Sequence, residues 1–292
     1  ATAGEDGTAL LWDLRTRKRI GDPLTGHDGA INAITLGTLD GAPIAVTAGA
    51  DRTARVWNLA DSAEIGRFTG HSDAVRDVAL ATVRGTPVAI TTGQDRTIRL
   101  WDLRTRRQLG DPLDTGEVSV VATGELDGRP IAVTVGDERG ARLWDLTDRR
   151  ELRGISVEVR TDSISSVAIG TLDGRPTAVI GESDDEQSEI TVWDLRTGRT
   201  TAEPLRGHEA AIPAVALATV NGASVVVSGD TGGTVRFWNP RTHDEIAARR
   251  GTWRRVNAIA IADLGGRPVA LTATEDGITR LWSLGPPYPP GL

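Results

Sequence analysis

Short runs in which apolar and polar residues alternate dominate this chain. In Ala30-Ile31-Asn32-Ala33-Ile34, Ile44-Ala45-Val46-Thr47 and Thr53-Ala54-Arg55-Val56-Trp57, successive side chains belong to opposite faces, the period-two signature of strands. Asp40-Gly41 separates the first two runs. An Asp-Gly or Asn-Gly pair supplies the positive φ angles of a tight hairpin, so these two strands are expected to be antiparallel neighbours. Equivalent turns recur at Arg84-Gly85, Asp127-Gly128, Asp173-Gly174, Asn221-Gly222 and Gly265-Gly266, and no helical period interrupts the series.

A second marker keeps the same spacing. Trp12, Trp57, Trp101, Trp144, Trp193, Trp238 and Trp282 are separated by 45, 44, 43, 49, 45 and 44 residues, and of the eight tryptophans only Trp253 falls outside the series. Two markers that agree define a structural repeat. A unit of four short strands without helices cannot bury both its faces alone, and stacking the units around an axis solves this. The expected fold is all-β, a seven-bladed β-propeller of four-stranded antiparallel blades. The hairpin glycine due 16 residues before Trp12 would precede Ala1, so the first blade is expected to lack its inner strand. After Trp282 the prolines of Gly285-Pro286-Pro287-Tyr288-Pro289-Pro290 cannot donate to a ladder, so the last blade is expected to lack a normal outer strand. The domain assignment is one propeller over 1–284 and a Pro-rich tail over 285–292.

Trp12-Asp13, Trp101-Asp102, Trp144-Asp145 and Trp193-Asp194, with Gly26-His27, Gly70-His71 and Gly207-His208, resemble the WD-repeat family over nearly the whole chain. The resemblance implies a buried network joining the His, a Ser or Thr of the second strand, the Trp of the third and an Asp in the turn between them. Its matches are His27, Thr47, Asp51 and Trp57, then His71, Thr91, Asp95 and Trp101. For the blade of Trp238, His208 and Ser228 match but the Asp position is Gly232, so that network is expected to be incomplete. Three blades carry Leu113-Asp114, Val159-Arg160 and Gly251-Thr252 in place of Gly-His, and are expected to rely more on packing. The resemblance further implies a non-catalytic scaffold or sensor that binds a protein or peptide through loops on one face, as a module of a larger bacterial protein.

Composition narrows the function classes. Thirty-three basic against 40 acidic residues give a net charge of -7, which disfavours nucleic acid and anionic membrane surfaces. No apolar run approaches the ~18 residues that would span a bilayer, so no membrane insertion is expected. With no cysteine there are no disulfides and no thiol chemistry. No methionine and no secretion signal are present, so a fragment of a soluble, cytoplasmic protein is expected, and the Ala, Gly, Arg and Val bias fits a GC-rich genome. Of four histidines three belong to the implied network, leaving His243 in an outer turn, so neither a cofactor nor an enzyme is expected.

Departures from the repeat mark the candidate partner-binding residues. From Gly174 to Trp193 there are 19 residues against 16 elsewhere, and the insertion falls in an acidic loop containing Asp184, Asp185 and Glu186. Trp253, flanked by Arg254 and Arg255, occupies the place of a Gly-His, and Trp with Arg dominates interface hot spots. Arg52 and Arg96 follow the network Asp and can receive an acidic segment of a partner. A second basic zone, including Arg15, Arg104, Arg106 and Arg149, lies in the outer turns. The rival functions are a propeller enzyme acting at the channel mouth, and self-association of fragments through open blade edges.

Overall fold

The computed structural model describes residues 1–136, 140–157, 163–183, 187–200, 203–250 and 254–284; the Pro-rich tail lies outside them. Among the described residues every helix or strand is a strand, arranged in seven antiparallel sheets. The fold is the all-β, seven-bladed β-propeller. Blade 2 is representative, with Ile31–Leu39 paired to Ala42–Gly49, that strand to Thr53–Asn58, and the last to Ala63–Thr69. Blades 3, 4 and 6 repeat the order. In blade 5 the strand Ser188–Asp194 carries two short partners, Arg199–Thr200 and Leu205–His208, in place of one continuous fourth strand.

Blades 1 and 7 have three strands each among the described residues. Blade 1 comprises Thr2–Ala3, Thr8–Asp13 and Lys18–Thr25, equivalent to the second, third and fourth strands of a full blade. Blade 7 comprises Val256–Asp263, Pro268–Thr274 and Thr279–Ser283, the first three. Among the described residues, no inner strand belongs to blade 1 and no outer strand to blade 7.

The hairpin turns have the expected chemistry. Asp40 and Gly41 have φ of 51° and 84°, and both residues of each of the other five turns are likewise positive. That is the twist a two-residue hairpin demands. A bulge near the start of the inner strand in blades 2 and 3, after Ile31 and Val75, re-aims the chain there.

Residue contacts divide the chain into two compact units. The first holds Ala1–Thr123, Gly128–Thr134 and Trp144–Glu151, and therefore blades 1 to 3; the second holds blades 5 to 7; the residues of blade 4 are shared out between them. Within each unit the apolar core lies between successive sheets. Ile44, Val46, Val56 and Phe68 of blade 2 pack with Val75, Val78, Ala89 and Trp101 of blade 3. In the second unit Val227, Val235 and Phe237 of blade 6 pack with Val256 and Ala270 of blade 7. Inner strands meet as large against small: a Cβ on Gly37 would stand 2.5 Å from Leu80, and one on Gly124 2.5 Å from Ile169. No helix of the described residues is long and apolar enough to cross a membrane.

Candidate functional site

His27 lies in the connection that enters the inner strand of blade 2. Its Nδ1 is 3.0 Å from both carboxylate oxygens of Asp51, in the turn after the second strand, and its Nε2 is 2.7 Å from Thr47 Oγ1. Trp57 Nε1 donates to that same hydroxyl at 2.8 Å. Blade 3 repeats the set with His71, Asp95, Thr91 and Trp101. A hydroxyl that already accepts the indole N–H gives its own proton to Nε2, which leaves Nδ1–H to donate to the carboxylate. Burial holds both histidines below their ordinary pKa of 6.5, against the pull of the carboxylates. Burial alone would raise Asp51, but bonds from Thr53, His27 and the Asp28 amide hold it well below the usual carboxylate range. The neutral histidine and the ionised aspartate are thus the forms that this geometry satisfies.

Blade 6 corrects the sequence reading. The Gly232 position does leave the turn without a carboxylate, yet the network is complete, because Asp230 supplies one from the near side of the turn. His208 Nδ1 is 2.7 Å from Asp230 and its Nε2 2.7 Å from Ser228 Oγ, to which Trp238 Nε1 donates at 2.8 Å. The turn folds back on that carboxylate, with the Thr234 amide donating to it at 2.7 Å. Asp230, His208 and Ser228 form the acid, imidazole and hydroxyl series used in acyl transfer. Ser228 is fully buried at 0% exposure and its oxygen accepts the Trp238 indole, so the hydroxyl is closed to a substrate.

The network extends beyond the residues that the sequence reading named. Trp12, Trp144 and Trp282 donate to Thr2, Thr134 and Thr272, each ten residues earlier, as Thr47 precedes Trp57. That fixed spacing was available in the sequence. In blade 5 the insertion removes it: Thr191, two before Trp193, pairs with Ile180 where blade 2 pairs Arg55 with Thr47, and among the described residues the buried Trp193 Nε1 has no acceptor. An arginine two before the Trp forms a further layer. Arg55, 4% exposed, bridges Asp51 at 3.2 Å and Glu64 at 2.7 Å. Arg99 bonds Gln108 at 2.8 Å, and Arg236 pairs with Glu245 and lies over the Trp238 ring. The glycine of Gly-His follows from this crowding: Gly26 has φ of 152°, and a Cβ there would stand 2.7 Å from the Arg55 guanidinium.

The network ties together two connections at one end of each sheet. Backbone bonds reinforce the tie: Ala50 N to Ala30 O and Gln94 N to Ala74 O at 2.8 Å, Thr231 N to Ala211 O and Glu275 N to Arg255 O at 2.9 Å. At this end of blades 2 and 3 stand Arg52 and Arg96, both exposed. At this end of blade 7 stand Arg254 and Arg255, also exposed. Trp253, Asp184, Asp185 and Glu186 lie outside the described residues, as do Val159-Arg160 and Gly251-Thr252.

The opposite ends carry ion pairs between neighbouring sheets. Arg104 grips Asp40 through Nε at 2.9 Å and Nη2 at 2.7 Å, and Arg196 meets Asp127 and Arg241 meets Asp173 through Nη2 alone. Where the hairpin of blade 3 has Arg84 in place of aspartate, Asp148 of blade 4 faces it at 3.7 Å. In the second unit a cleft of about 400 Å³ at such a junction is lined by Asp173, Arg175, Asp194, Arg241 and His243. Its two arginines are already paired, Arg241 with Asp173 and Arg175 with Asp194.

Comparison with known proteins gives one family match. The family model described as WD domain, G-beta repeat, matches residues 18–58, 62–102 and 199–239, segments that each end one residue past the tryptophan of one of the three complete networks. No curated protein matches the chain.

Proposed function

The chain is a WD-repeat β-propeller, and from that premise we propose that it is a non-catalytic platform that binds a protein or peptide partner. In each unit the contact surface is the sheet end at the network turns, which carries Arg52 and Arg96 on blades 2 and 3 of the first unit and Arg254 and Arg255 on blade 7 of the second. The observation that carries this reading is the double tie, through His and through backbone, between the entering connection and the turn at that end. A surface held rigid before binding loses less entropy when a partner docks. The enclosed hydroxyl and occupied ring nitrogens of His208 support a structural role over acid–base chemistry.

Opposite ends of one blade provide the test. The chain is immobilised and exposed to extract of the producing cells, with Arg254→Glu/Arg255→Glu compared with Arg267→Glu in the far hairpin of blade 7. Specific capture should be lost in the first and kept in the second. The reverse pattern would overturn the assignment of the binding end.

A further inference from the structure

Arg52 and Arg96 stand in the left-handed region, with φ of 67° and 64°. A side chain there crowds its own backbone, and glycine is the residue that avoids the cost. This chain uses glycine at the same place in other blades: Gly7, Gly233 and Gly277, each five residues before its tryptophan, have φ of 74°, 83° and 75°. Two adjacent blades therefore keep a strained arginine where three others keep glycine.

Local structure engages these side chains little. Among the described residues the Arg52 guanidinium has no hydrogen bond or ion pair, because the neighbouring Asp51 is engaged by His27, Thr53, Arg55 and the Asp28 amide. Among the described residues Arg96 reaches only Glu117, at 3.4 Å, with both side chains more than half exposed. Arg17, Arg84, Arg106 and Arg149 share this conformation in turns at the opposite ends, so what sets Arg52 and Arg96 apart is their place beside the histidine networks, next to an aspartate that is already engaged.

We propose that Arg52 and Arg96 form a two-point anchor for a carboxylate-rich, acidic peptide segment of a partner. Guanidinium groups bind carboxylates in paired, charge-assisted hydrogen bonds. The networks hold both turns in place, so the anchor is set before the peptide arrives. Glu117 competes for Arg96 in the free protein. The proposal rests on the platform reading above and names the chemistry of what docks.

The test pairs stability with binding on the whole chain. A fluorescent hexaglutamate peptide is titrated at low salt, with hexaglutamine as the uncharged control. The wild-type chain should bind hexaglutamate in a salt-sensitive manner and ignore hexaglutamine. Arg52→Gly/Arg96→Gly should melt roughly 2–4 °C higher, since the strain is relieved, and bind at least ~tenfold more weakly. Glu117→Gln should bind more tightly. A double variant that melts lower would show that the arginines hold the turns, and overturn the proposal. Unchanged binding in that variant, or no binding by the wild type, would overturn it as well. If the peptide binds but no partner is captured, only the platform reading falls; if capture depends on Arg254 and Arg255 while hexaglutamate fails to bind, only the acidic anchor falls.

Discussion

Thr47 and Thr134 occupy equivalent places but serve different numbers of partners. Thr47 accepts from Trp57 and bonds His27, whereas Thr134 accepts from Trp144 in a blade without that histidine. A buried polar group left unpaired costs about 1–3 kcal/mol, so Thr134→Val should destabilise by about 1–2 kcal/mol and Thr47→Val by about 2–4 kcal/mol. Chemical denaturation would check the ranking; equal losses would mean that His27 does not depend on the hydroxyl. Both threonines were findable from the ten-residue spacing to tryptophan. Asp230 was not, because position counting from Asp51 leads to Gly232. Only the folded turn shows that a carboxylate from its near side reaches the same imidazole.

Between sheets, the turn charges form matched pairs. Asp40 and Arg104 are 64 residues apart, and the reversed pair, Arg84 and Asp148, shows that the fold accepts either polarity when both members agree. Asp40→Arg alone should lower the melting temperature by placing two guanidinium groups together. Asp40→Arg with Arg104→Asp should recover most of the loss, and the coupling should fade with added salt because the pair is solvent-exposed. A double-mutant cycle at two salt concentrations measures this. The inner strands interlock more tightly than the turns do. Gly37→Val should destabilise the junction of blades 2 and 3, since Leu80 fills the space a side chain needs, typically at a cost of ~1–3 kcal/mol. Neither pairing was legible in the sequence, because the partners are one repeat or more apart and nothing local links them.

For the molecule as a whole, stability should fall in two steps on acidification. His27 and His71 have folded-state pKa values below 6.5, so the unfolded chain takes up protons first, and stability present above about pH 6.5 is lost as pH falls toward those lowered values. Asp51, Asp95 and Asp230 are held below 3.8, so their contribution is present above that pH and lost below it. Asp77 works the other way. It bridges blades 3 and 4 by accepting from the Val78 and Val121 amides at 2.8 Å, and burial pushes its carboxyl up to about 6. Its protonation therefore favours the fold as pH falls from about 6 toward 3.8. Asp77→Ala should steepen the first step, and thermal melts between pH 7 and 4 would show it; an unchanged slope would mean that Asp77 titrates normally.

The sequence alone determined the strand pattern, the hairpin turns and the seven-fold repeat. Each of these rests on periodicity or on residues close in the chain, where φ preferences and side-chain alternation act locally. It also identified two of the three histidine networks in full, because their members keep constant spacings. Tertiary structure alone decided the role of Asp230, the lack of an acceptor for Trp193 among the described residues, the ion pairs between turns and the left-handed backbone at Arg52 and Arg96. These depend on which atoms meet across a turn or between sheets, and on backbone angles that the same residue types adopt only when the surrounding fold imposes them.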